Sequence, residues 1–91
     1  MIEPNSRLRA LAGLLAEMSV EIITLTHAGT RRELHARTTD LPKELEAIAR
    51  DGGEVEIPQL GAAIRFSGSN FRCECADPAI SLAILKALAH G

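Results

Sequence analysis

The sequence predicts one α+β domain, residues 1–91, built as an antiparallel sheet of about five strands with helices packed on it. Two patterns carry that expectation. Apolar residues recur at helical spacing at both ends of the chain and briefly in the middle. Between them lie short alternating segments punctuated by glycine and proline, as strands joined by turns require. The chain has 91 residues, and a domain of that size has one modest core with no room for a second.

The first helix is expected from Ser6 to about Met18, with Asn5 or Ser6 as its cap. Leu8, Leu11, Ala12, Leu15 and Met18 form one stripe, with Leu14 at its edge and Arg9, Gly13 and Glu17 opposite. Arg7 and Arg9 near its start and Glu17 near its end oppose the helix dipole, so packing must hold it. Val20–His27 is rich in β-branched residues and carries isoleucine on both faces, which predicts a central strand covered on two sides. After Ala28-Gly29-Thr30, the segment Arg31–Thr38 is one-sided and charged, as an edge strand would be.

Asp40 is placed to cap a short second helix, with Pro42 in the first turn and Leu41, Leu45 and Ile48 on one face. Gly52-Gly53 ends it. Glu54–Ile57 alternates and is stopped by Pro58, again an edge pattern. Ala62, Ile64 and Phe66 then alternate with polar or small residues, as do Phe71, Cys73 and Cys75 after Gly68-Ser69. Two registers suit this last hairpin. A turn at Gly68-Ser69 sets Phe66 against Phe71 and Ile64 against Cys73, whereas a turn at Ser69-Asn70 sets Arg65 against Glu74.

Asp77 followed by Pro78 is a strong helix start. The helix runs to about Ala89, with Ile80, Ala83, Ile84, Ala87 and Leu88 facing the sheet and Leu82, Leu85 and Ala89 forming a second apolar patch. Apolar side chains on two sides call for burial on two sides. Phe66 and Phe71 are the only aromatics, and much of the apolar content is alanine, which contributes little on burial. The core is therefore expected to be small and completed by a partner or a second copy.

The formal net charge is −2, with both signs interspersed and no basic tract. Neither the electrostatic footprint nor the aromatic platforms of a nucleic-acid binder are present. No apolar run is long enough to cross a membrane, and the start of the chain lacks a signal-peptide layout. The expected location is the cytoplasm, where Cys73 and Cys75 stay reduced.

The order helix, strand, strand, helix, three strands, helix resembles the Roadblock (dynein light chain) family, with its longin- and profilin-like architecture. The stretch from Phe71 through Ala76-Asp77-Pro78 into the last helix is similar to that family's final strand and helix. The resemblance covers nearly the whole chain by element order alone. It implies a first strand lying beside the last, second and third strands at the edges, and a dimer contact usually made by the middle helix. It also implies a role in scaffolding complexes or regulating small GTPases, without chemistry of its own.

Cys73 and Cys75 point the same way on a strand, but a Cys-x-Cys pair supplies at most two of the four ligands structural zinc needs. Their alternation with Arg72 and Glu74 places them on the apolar face, where cysteine packs as a small hydrophobe. His27, His35 and His90 share no ligand spacing, and Ser67, Ser69 and Ser81 have no activating neighbours. The glycine turns are too short and wrongly placed for a phosphate loop. No metal or cofactor is expected. The expected function is a protein-interaction, scaffold or regulatory domain acting as a homodimer or as a subunit, with Leu82, Leu85 and Ala89 as its contact surface. The alternative is a small ligand-binding or thiol-dependent enzyme subunit that uses Cys73 and Cys75.

Overall fold

The computed structural model describes residues 6–67 and 70–89. They form α1 (Ser6–Glu17), β1 (Ile22–His27), β2 (Thr30–His35), α2 (Leu41–Asp51), β3 (Gly53–Ile57), a 3-10 turn (Pro58–Leu60), β4 (Ala62–Ser67), β5 (Asn70–Cys75) and α3 (Pro78–Ala89). This is the expected α+β order. Asn5, one of the two candidate caps of α1, and His90 lie outside the described residues, as does the Gly68-Ser69 turn.

All strand pairs are antiparallel, in the order β2-β1-β3-β4-β5. One inner row runs Leu25, Val55, Ile64, Cys73 across four strands, and Phe66 faces Phe71 in the next. The Phe66 and Phe71 rings are 6.5 Å apart at 48°. The hairpin thus takes the first of its two registers; both keep the apolar residues on one face, and the observed one sets the two phenylalanine rings directly opposite each other.

The helices cover this inner face. Leu8, Leu11 and Leu15 of α1, Leu41, Leu45 and Ile48 of α2, and Ile84 and Leu88 of α3 close over Ile23, Leu25, Val55, Ile57, Ile64 and Phe66. Buried positions are mainly leucine, isoleucine and valine, while Ala10, Ala16, Ala28, Ala76, Ala79 and Ala89 are exposed. The alanine-rich core expected from composition is corrected accordingly: composition averages over surface and interior alike.

Two strand assignments are corrected as well. β3 is central, between β1 and β4, and β5 is at the edge instead. Glu54 and Glu56 point to the uncovered face of a one-sided sheet, an alternation that a central strand shares with an edge strand. Pro58 costs the ladder nothing because it falls just past the strand, in the 3-10 turn. β1 is central as expected, but it is covered on one side only. Its outer face carries Ile22, 43% exposed, with Thr24 sheltered between Glu33 and Glu56.

Asp40 also departs from expectation. Its backbone is already helical and its side chain makes no capping bond, while the Asp40 carbonyl accepts from the Glu44 N–H at 3.0 Å. Asp77 does cap α3, its Oδ1 accepting from the Ala79 N–H at 2.9 Å.

Candidate functional site

The two edges of the sheet are built differently. β2 carries Arg32 on its inner face, and this guanidinium is ion-paired with Glu44 of α2. A charge turned inward along an edge strand discourages another strand from docking there. β5 has no such guard. Its inner-face residues are Phe71, Cys73 and Cys75, all half-buried, and no proline or bulge interrupts it.

Helix α3 lies against β5 and α1. On it, Leu82 is 55% and Leu85 39% exposed, and Ala89 is exposed too. Ser81 of α3 is a neighbour of Cys73 across the contact between α3 and β5. Leu85 is one turn beyond Ser81 on the same flank, so the apolar patch borders the free edge of β5. Leu82, Leu85, Cys73 and Cys75, which the sequence treated separately, thus lie along one margin of the molecule.

The outer face of that margin is charged. Arg72 stands opposite Arg65, and Glu74 stands opposite Ala63. Arg65 reaches toward Glu54 at 4.0 Å and Arg31 pairs with Glu56 at 3.2 Å. Arg72 and Glu74 have no ion pair among the described residues. Two shallow open recesses lie nearby. One, of about 560 Å³, is lined by Glu56, Ala63, Glu74 and Cys75; the other, of about 270 Å³, by Arg65, Ser67, Asn70 and Arg72. No histidine lines either recess.

Both cysteines are free thiols. Partial burial pushes the Cys73 thiol above its ordinary pKa, aided by Cys75 and Glu74 and opposed by the neighbouring Ser81. The Cys75 thiol donates to the Leu60 carbonyl at 3.7 Å. Among the described residues, no group of three or more His, Cys, Asp or Glu side chains is arranged to hold a metal ion. No helix among them is long and apolar enough to cross a membrane.

Two further arrangements escaped the sequence reading because their partners are far apart in the chain. His27 Nε2 and Asp51 Oδ2 are 3.0 Å apart at the end of α2. Hydrogen bonds from Arg50 and then His27 hold the Asp51 carboxyl below its usual range. Gln59 also clamps the turn after α1, accepting from the Glu21 N–H at 3.1 Å and donating to the Ser19 carbonyl at 3.0 Å.

Comparison with protein families, with curated proteins and with solved structures finds no match for this chain. Its strand order also departs from the one implied by the Roadblock resemblance: β1 lies beside β3, and the last strand is at an edge.

Proposed function

We propose that this chain is a cytoplasmic protein-interaction domain, of scaffold or regulatory type, acting as a homodimer or as a subunit of a larger assembly. The observation that carries this reading is the apolar patch of Leu82 and Leu85 on α3, beside an unguarded edge strand. A contiguous exposed apolar patch, as distinct from scattered apolar residues, is a common mark of an association site. A Roadblock-like role in small-GTPase regulation rests on element order alone, and the strand order weighs against that family's sheet. The raised Cys73 pKa weighs against a thiol-dependent enzyme, which needs a depressed one.

Replacing Leu82 and Leu85 together by glutamine tests the reading. The variant is expected to keep its circular-dichroism spectrum and to lose assembly in light scattering. Unfolding of the variant, or assembly unchanged by it, removes α3 as the contact surface.

A further inference from the structure

We propose that the partner of this margin is a second copy of the chain, joined edge to edge through β5 in an antiparallel register centred on Cys73. The proposal rests on the reading of the chain as an associating domain and names the occupant.

The register follows from the charges. For two copies to form one continuous sheet with all helices on the same side, the two-fold axis must stand perpendicular to the sheet and pass a residue paired with its own copy. Centred on Arg72, the pairing sets arginine against arginine. Centred on Glu74, it sets glutamate against glutamate. Centred on Cys73, it sets Arg72 of each copy opposite Glu74 of the other. These are the outer-face β5 residues that lack an ion pair within their own chain among the described residues. Opposite charges directly across a strand pair stabilise it, and like charges oppose it.

The inner face agrees. In this register Phe71 meets Cys75 of the other copy, so the half-buried row of β5 continues across the axis. The two α3 helices are then brought side by side, each turning Leu82 and Leu85 toward the other. At β2 the same pairing would force the inward Arg32 away from Glu44, which leaves β5 as the available edge.

Charge exchange tests this. Sedimentation equilibrium of the wild-type chain at micromolar concentration is expected to show twice 9.7 kDa. Arg72→Glu and Glu74→Arg, each alone, are expected to weaken dimerisation at least tenfold, because each creates two like-charge contacts across the axis. The double variant R72E/E74R is expected to restore it to within a few-fold. A wild-type dimer indifferent to these exchanges overturns the β5 register while leaving the chain an associating domain. A wild-type chain that stays at 9.7 kDa overturns self-association itself and gives the edge to a different protein.

A second measurement does not depend on how the charge variants fold. In this register the two Cys73 Cα atoms lie about 5 Å apart and the two Cys75 Cα atoms roughly 14 Å apart. A short bis-maleimide is expected to link Cys75→Ala chains into covalent dimers and to leave Cys73→Ala chains unlinked. The reverse pattern overturns the register.

Discussion

Arg65 and Arg72 stand directly opposite each other on β4 and β5, two like charges on the open face of the sheet. The alternative hairpin register would have given Arg65 a glutamate. The observed one sets Phe66 against Phe71 where the alternative would set it against Cys73, so the paired rings are gained and the charge match is given up. Arg72→Glu is therefore expected to stabilise the isolated chain by about 0.2–1 kcal/mol. Thermal unfolding in solution dilute enough to hold single chains reads this directly, and a lower midpoint for the variant contradicts it.

Ile84 is fully buried beneath α3, whereas Leu82 and Leu85 are open. Ile84→Ala is expected to cost about 2–5 kcal/mol in urea unfolding. A loss under 1 kcal/mol would show that α3 does not pack as described.

Gly53 and Gly13 make an opposed pair. A Cβ on Gly53 would run into the Thr26 backbone oxygen and come within 3.0 Å of Ile48 Cγ2, whereas one on Gly13 meets nothing within 4 Å. Gly53→Ala is expected to cost about 1–3 kcal/mol or more by forcing β1 and β3 apart. Gly13→Ala, inside α1, is expected to gain about 0.5–1 kcal/mol. Equal effects at the two positions would refute the close approach.

Gln59→Ala removes both hydrogen bonds to the turn between α1 and β1. The expected cost is about 1 kcal/mol, since the freed groups are exposed and water partly replaces them. Amide hydrogen exchange should quicken at Glu21 while the middle of β1 stays protected.

The Cys73 thiol holds its proton more tightly in the fold than the ordinary value of 9.0. Near pH 8 its thiolate fraction is below that of a free thiol, so maleimide labelling should be slower in the native chain than in urea. Stability linked to this group is full below pH 9 and declines as the pH rises through the folded pKa, because the unfolded chain releases the proton first. Labelling as fast in the fold as in urea would contradict the burial.

What the chain carries in its own pattern is local. The stripe of Leu8, Leu11 and Leu15, the Asp77-Pro78 start of α3 and the alternation of Ala62–Ser67 each depend on neighbours within a few residues, and each was legible. So was the exposure of Leu82 and Leu85, which follows from helical projection once Ile84 is taken as the core-facing side. Strand order was not legible. Glu54–Ile57 presents the same one-sided alternation whether another strand lies beyond it or not, because period-two patterning reports the faces of a sheet and carries no information about its edges. The pairings of His27 with Asp51, Gln59 with Ser19 and Glu21, and Arg32 with Glu44 likewise exist only after α2 and the strands have packed. The guarded edge at β2 and the open one at β5 are set by that packing, since an edge is defined by which neighbour a strand lacks.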